Sequence, residues 1–454
     1  MRKVIMSFAL AALLATAAGA QGLDGKTFTV RGGAADSLNA PISIAYDGAD
    51  PETSVEVVPA GGAPIAATVR AGELVFVPEA VPAGSETVYT VKVLKEKKQP
   101  AVEVKQKGDE KVLEITVNGK PVTAYHYTID DKVSFEAAKA AYPDLTEDEF
   151  KRLDSNGDGV WTAADEPLMQ GEEKEKDAGV LARLCHRKPF LWPVLAEGQA
   201  TVTRNWPMGE SEGKMDHLHQ KSLWTAHGKL NNASFWEESY ERSGYEMVET
   251  VEFGSGDAYG WIVSHNVWQD REHKPVITET REYRFYATPD STRTFDLAVA
   301  FKADYGDVIF GDTKEGGLIA LRMRPSMNEQ GGTGTITTAN GQGEKTVWGK
   351  PSPWCDYSGT IEGVGTRGVT FFDHPSNLRH PARWHVRSYG LMGANYFGLK
   401  DFEPDLKQQG DWTLKSGEGQ TFQYRTLIHS GNAAEAKIAD RYTAYATPAQ
   451  ATWK

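Results

Sequence analysis

The chain has 454 residues, too many for one ordinary hydrophobic core, so two or three domains are expected. Its 62 acidic and 49 basic residues leave a net charge of −13, which argues against nucleic acid and anionic membrane surfaces as partners. The 12 tryptophans suit core filling and stacking on sugar rings alike.

The chain begins Met1-Arg2-Lys3, continues with an apolar run over 4–18 and reaches the small-residue end Ala18-Gly19-Ala20. Together these parts read as a secretory signal peptide spanning 1–20, to be set aside from the fold. No later stretch reaches the roughly 18 apolar residues needed to cross a bilayer, so a periplasmic or extracellular protein without membrane insertion is expected. Such a compartment permits a bridge between Cys185 and Cys355, and the sequence leaves that pairing open.

Residues 22–105 carry short alternating runs at 27–30, 42–46, 54–58, 74–77 and 87–93, separated by Gly, Pro, Asp and Asn. That spacing predicts a small N-terminal β-sandwich module, and the Lys/Glu-rich stretch 95–111 reads as containing a linker. A hairpin follows over 113–127, turning at Asn118-Gly119.

The pattern then becomes helical over 134–142 and 145–153, with Thr146 and Glu149 spaced as a capping box. The second helix runs into Asp154-Ser-Asn156-Gly-Asp158-Gly159-Val160-Trp161-Thr162-Ala-Ala-Asp165. Oxygen donors fall at loop positions 1, 3, 5, 9 and 12 and a glycine at the sharp bend of position 6, so the segment resembles an EF-hand calcium loop. Calcium is expected on Asp154, Asn156, Asp158, the Val160 carbonyl, Thr162 and Asp165, in a structural role. Asp replaces the usual Glu at position 12, which weakens affinity, and a lone loop suits structure better than switching.

After a charged run at 172–177, strands are expected at 247–253, 260–268, 276–286, 295–301, 318–323, 369–372 and 422–429, with one helix over 433–445. Strands without βαβ alternation predict a mainly β protein built on a large two-sheet antiparallel β-sandwich. The expected division is 112–128 and 179–454 for that sandwich, with 129–178 inserted as the short helical, EF-hand-like segment.

Two stretches concentrate ionisable groups. The first places Arg204, Asp216, His217, His219, Lys221, Trp224 and His227 close together in sequence. If 216–220 is extended, His217 and His219 point to one side and could share a second metal or bracket a substrate. The second stretch, 371–398, holds Asp373, His374, Asn377, His385, Arg387 and Tyr389 among prolines and glycines that dictate a structured loop. The two are read as two walls of one cleft.

Several motifs resemble the bacterial PmoA-like family of exported proteins, often filed under the name of a methane oxygenase. They are Lys188-Pro-Phe-Leu-Trp-Pro-Val, Arg204-Asn-Trp-Pro-Met, Asp216-His-Leu-His, Leu223-Trp-Thr-Ala-His-Gly, Gly311-Asp-Thr-Lys-Glu-Gly-Gly, Trp354-Cys-Asp-Tyr-Ser-Gly and the block 373–398. The resemblance covers 181–454 and implies a sandwich similar to that of sugar mutarotases and a setting among polysaccharide-degrading proteins. The chain departs from the family's His-His-Arg by reading His219-Gln220-Lys221, which replaces a planar bidentate donor with a point charge.

The resulting expectation is an exported, calcium-binding, glycan-active hydrolase or lyase acting on carbohydrate or another small polar substrate. His217, His219, Asp216, Asp373, His374 and Lys314 are the candidate catalytic residues. Arg204, Lys221, Trp224, His227, Trp236, Glu315, Asn377, His385, Arg387 and Tyr389 are the candidate substrate contacts, with the tryptophans stacking on rings. Lys314 and Glu315 also read as a structural ion pair at a hairpin. The alternatives are a metal-dependent oxygenase, as the family label suggests, and a non-catalytic carbohydrate-binding protein.

Overall fold

The computed structural model describes residues 22–130, 132–141, 143–162, 165, 185–206, 216, 217, 219–238, 243–406 and 410–454. The stretch 1–20 expected as a signal peptide and the charged run 172–177 lie outside the described residues.

Two large antiparallel sheets form the body of the protein. One has eight strands in the order Arg383–Val386, Leu391–Asn395, Gly316–Arg322, Leu223–His227, Phe190–Leu191, Lys120–His126, Val112–Val117 and Val102–Gln106. The other has nine and runs from Tyr245–Gly254 through Tyr259–Gln269, Pro275–Tyr286, Thr292–Lys302, Gly419–Ser430, Gly365–Asp373 and Trp354–Ile361 to the short pair Thr335–Thr338 and Gly341–Gln342. Strand periodicity explains why they pack together. In Pro275–Tyr286 every second side chain from Ile277 to Phe285 is buried, and in Leu223–His227 Leu223 enters the shared core while Trp224 points to the opposite face. The inner faces meet in one core that includes Tyr125, Ile262, Tyr283, Leu297, Leu321, Trp384 and Phe422. This is the two-sheet sandwich expected from the strand pattern.

The N-terminal module differs in one respect. Its seven strands form a single sheet in the order Ile42–Ala45, Glu73–Phe76, Ile65–Arg70, Val55–Pro59, Glu86–Val93, Thr27–Arg31 and Gln450–Trp453. The last strand comes from the C-terminus, and the two edge strands lie against each other, so the sheet curls around its own core. Trp453 sets that closure: its ring packs edge-on against Phe28 at 5.4 Å, and its Nε1 donates to the Ala45 carbonyl at 2.7 Å. The stretch read as a linker contains Val102–Gln106, which pairs with Val112–Val117 as the outermost strand of the eight-stranded sheet. Its Val102 and Val104 reach the sandwich core, and the charge of the intervening residues concealed that alternation.

The helical segment has the expected local chemistry. Helices α1 (Phe135–Ala141) and α2 (Glu147–Leu153) frame a small core of Val133, Ala138, Phe150, Leu153, Trp161 and Cys185. Both reciprocal bonds of the Thr146/Glu149 capping box are present. The loop strand Val160–Trp161 pairs with Val133–Ser134, so the loop is braced and does not stand alone. Cys185 sits in this small core and Cys355 in the main one, and the two are not bridged to each other.

Candidate functional site

The outer face of the eight-stranded sheet carries the densest chemistry. Strand parity sends Phe190, Trp224, Ala226, Ala320 and Leu391 to this face, and Trp206 and Trp236 pack onto them. Arg322 and His385 point the same way, each flanked in sequence by residues of the inner core.

The segment entering the strand Leu223–His227 crosses this floor. It is a turn and not the extended strand expected: His217 has φ 48° and its carbonyl accepts from Gln220 N at 2.9 Å. The turn exists because Arg204 gathers its carbonyls. Arg204 donates to the carbonyls of Asp216 at 2.8 Å, His217 at 2.8 Å and Gln220 at 3.2 Å, and to Asp216 Oδ1 at 3.0 Å. Arg322 donates to the same Oδ1 at 2.9 Å and to Gln220 Oε1 at 2.6 Å, and its guanidinium lies 4.5 Å from the Tyr389 ring centre. Asp216 thus holds two nearly buried guanidiniums. Burial acts to raise its carboxyl, but His217, Arg322 and Arg204 hold it well below the usual range.

The second oxygen of Asp216 faces His217 Nδ1 at 3.1 Å. The His217 ring stacks on Tyr389 with centroids 4.9 Å apart and keeps 39% of its side-chain surface exposed. An imidazole held through Nδ1 by a fixed carboxylate, with part of its ring still exposed, is the arrangement of a proton-transfer group. His219 lies edge-on to His217 with ring centroids 5.8 Å apart, and burial together with the Lys188 ammonium lowers it to about 3. Among the described residues no group of three His, Cys, Asp or Glu side chains gathers as metal ligands, and no third ligand joins this histidine pair.

Beneath the histidines lies an ionic group that the sequence did not single out. Glu238 bridges Lys221 at 2.8 Å and Lys188 at 3.3 Å, with both lysine side chains fully buried. Lys188 also donates to the carbonyls of Trp236 at 2.8 Å and Phe235 at 3.3 Å, and Lys221 to that of Cys185 at 2.5 Å. Burial opposes ionisation of Glu238, yet the two ammoniums hold its carboxyl at about 2. The legible signal was Phe235-Trp-Glu-Glu238, an acidic pair directly after aromatics that must be buried.

The second stretch, expected as a structured loop, instead holds the paired strands Arg383–Val386 and Leu391–Asn395, and it divides. Its 385–389 half joins the site through Tyr389 on His217 and through His385, which is buried, stacked on Trp236 at 6.1 Å and lowered to about 3 by burial with Arg387 and Lys314 nearby. Arg387 lies at the rim, paired with Glu344 at 3.1 Å, and Lys314 is ion-paired to Glu315 with both side chains 34% exposed. The structural ion pair weighed for Lys314 and Glu315 is therefore present.

The 373–377 half goes elsewhere. Asp373 is completely buried at the end of Gly365–Asp373, where Asn377, Tyr396, His380 and the Ala382 amide satisfy its oxygens. His374 packs on Tyr445 of the C-terminal helix Ile438–Ala446 at 5.4 Å. Asp373 and His374 thus tie the nine-stranded sheet to that helix through Tyr442 and Tyr445, while Asn377 braces Asp373 and the Gln423 carbonyl, and the two-wall expectation is corrected to the 385–389 part alone.

Burial corrects five further assignments. Trp224 and Trp236 are completely covered and pack on each other at 5.4 Å, so they form the floor and offer no ring face to a sugar. His227 is buried against Phe310 and Phe397, with Nε2 on the Gly311 carbonyl at 3.0 Å. Arg204 and Lys221 are buried and spent on the protein's own acceptors, so they shape the site from below.

The EF-hand-like loop has the turn scaffold its sequence demands. Asp154 accepts from the amides of Gly157, Asp158 and Gly159, Asn156 Oδ1 from Asp158 N, and Asp158 Oδ1 from Val160 N. Gly159 has φ 90°, a bend that only glycine makes without strain. Asp165 is fully buried and accepts from Thr162 N at 2.8 Å and Ser155 Oγ at 3.1 Å. The donor set is all oxygen, which fits a hard cation such as calcium.

Residues 177–443 match a family described as "Family of unknown function (DUF6807)". No curated protein matches the chain in sequence. Among solved structures it is similar to an alpha-mannosidase from Enterococcus faecalis V583, with TM-score 0.34 and 10% identity over 95% of this chain and 46% of that one. It is also similar to a protein in glycosyl hydrolase family 38 from Enterococcus faecalis, with TM-score 0.32 and 10% identity over 95% and 47% of the respective chains. The chain thus spans about half the length of these structures.

Proposed function

The chain belongs to the DUF6807 family, whose function is unknown, and from its site we propose a glycan-active enzyme, a hydrolase or lyase, in which His217 transfers the proton. The observation that carries this reading is the exposed His217 ring fixed by Asp216, which is in turn held by Arg204 and Arg322. With Nδ1–H donated to Asp216, Nε2 is free to take a proton from a sugar hydroxyl, a water or a ring carbon, and Asp216 stabilises the imidazolium that forms. Tyr389, Lys314, Glu315 and Arg387 form the partly exposed rim and contact the ligand, while the Lys188–Glu238–Lys221 group keeps the floor rigid and charged.

Export through the leader and one structural calcium on Asp154, Asn156, Asp158, Val160, Thr162 and Asp165 belong to the same proposal. They are supported by the leader sequence and by the all-oxygen loop. The ion would supply charge compensation to three carboxylates of the loop.

The test is a panel of neutral and acidic polysaccharides incubated with the protein and with His217→Ala. New reducing ends without unsaturation mark hydrolysis, and unsaturated ends mark elimination. His217→Ala is expected to lose at least about 100-fold in turnover, the usual contribution of a proton-transfer group. Binding without cleavage identifies a carbohydrate-binding protein instead, and no interaction with any member overturns the glycan reading.

A further inference from the structure

The calcium-loop unit and the floor of the His217 site meet at two residues. The Cys185 side chain belongs to the small core of Val133, Ala138, Phe150, Leu153 and Trp161, and the Cys185 carbonyl accepts from Lys221 Nζ at 2.5 Å. His186 exchanges two backbone hydrogen bonds with Asp130, at 2.7 and 2.8 Å, where the chain enters the unit. Its ring stacks on Phe190 at 5.7 Å and meets Trp206 at 6.0 Å. Trp206 also lies 4.7 Å below the Lys221 ammonium. The unit therefore touches the ionic floor through a carbonyl, a ring stack and a backbone bridge.

We propose that cation occupancy of the loop and placement of the Lys221–Glu238 pair are one linked equilibrium, so that calcium sets the geometry of the His217 site. This rests on the calcium reading above. The loop strand Val160–Trp161 is anchored to Val133–Ser134, and Trp161 and Leu153 pack in the same small core as Cys185. A bound ion draws the loop oxygens together and seats Trp161 and Leu153, which fixes the Cys185 carbonyl. Without the ion that core loosens and the buried ammonium loses an acceptor that no water replaces, a loss that a fully desolvated charge resists by moving. Because linkage is reciprocal, a change at Lys221 must alter calcium affinity by the same factor that calcium alters the state of Lys221.

Hydrogen exchange on the full protein, with calcium and with chelator, reads this without any assay of turnover. Calcium is expected to slow exchange in peptides covering 150–162 and also in those covering 185–190 and 219–224, by about tenfold, a usual size for coupling between sites. Asp158→Ala should remove the response in all of them. Cys185→Ala thins the contact between the small core and the carbonyl, so 150–162 should still respond while 219–224 responds less. Lys221→Met should weaken calcium binding severalfold by titration calorimetry. A calcium response confined to 150–162 in the unsubstituted protein overturns the linkage and leaves the calcium site standing. No response anywhere overturns both.

Discussion

Asp216 is the residue on which the site turns, because one carboxylate aligns His217 and neutralises two guanidiniums that are almost inaccessible to solvent. Asp216→Asn is therefore expected to destabilise the fold by about 3 kcal/mol, since it strands buried charge as well as losing the orientation of His217. Urea denaturation measures the first effect and the pH profile of turnover the second. Four other histidines make the protein acid-sensitive. Burial lowers His186, His219 and His385 to about 3 and His227 to about 4 from an unfolded value of 6.5. Between pH 6.5 and the folded values the unfolded chain binds protons that the folded chain refuses, so stability falls as pH falls through that window. Each such histidine adds up to about 1.4 kcal/mol per pH unit to the slope. Denaturation midpoints between pH 8 and 5 should show the decline, and His385→Phe, which keeps the stack on Trp236, should make it shallower. The histidines were legible in the sequence as a cluster. Which one stays at the surface was not, because it depends on the Arg204-bound turn that lifts His217 away from the floor.

The two elements beside the site, the 216–220 turn and the helical unit with its 154–165 loop, were legible to different degrees. The turn scaffold of the 154–165 loop follows from local spacing alone, since Asx turns and a glycine bend are short-range chemistry. Asp154→Ala should abolish calcium heat in titration calorimetry of the full protein and lower its melting temperature in calcium buffer. The packing of the loop unit was not legible. Its core encloses Cys185, beyond the segment itself, so removing 131–176 should expose that side chain and leave Lys221 without a fixed Cys185 carbonyl. A soluble deletion product that keeps full hydrogen-exchange protection at 219–224 would refute that expectation. The sequence 216–220 shows the limit of strand parity: side-chain alternation placed both histidines on one side, whereas Arg204 draws the carbonyls into a turn and the rings meet edge-on.

At the scale of the molecule, the chain closes on itself. Gln450–Trp453 completes the N-terminal sheet by pairing with Thr27–Arg31, and Lys454 N reaches the Thr27 carbonyl at 3.0 Å. Trp453→Ala should cost the module about 2 kcal/mol through lost packing on Phe28 and the lost bond to Ala45. It should speed exchange in 27–31 and 42–45 ahead of the sandwich, and uniform loosening of both parts would show that they unfold as one unit.

By itself the sequence determined the elements whose causes are local: the alternation that makes most of the long strands of the nine-stranded sheet, the Asn118-Gly119 hairpin, the capping box at Thr146 and the Asx turns of the 154–165 loop. Only the tertiary structure decided which charged residues lie inside. Glu279, Arg281 and Glu246 pair at 2.6 and 2.8 Å within the sandwich, as Lys188, Glu238 and Lys221 do beneath the site. Parity says that such residues share a side but not which side is covered, because a buried charge is tolerated only when a partner distant in sequence arrives to meet it. The same reason separated Asp373 from His385, twelve positions on: each side chain went to the sheet face where its own partners were waiting.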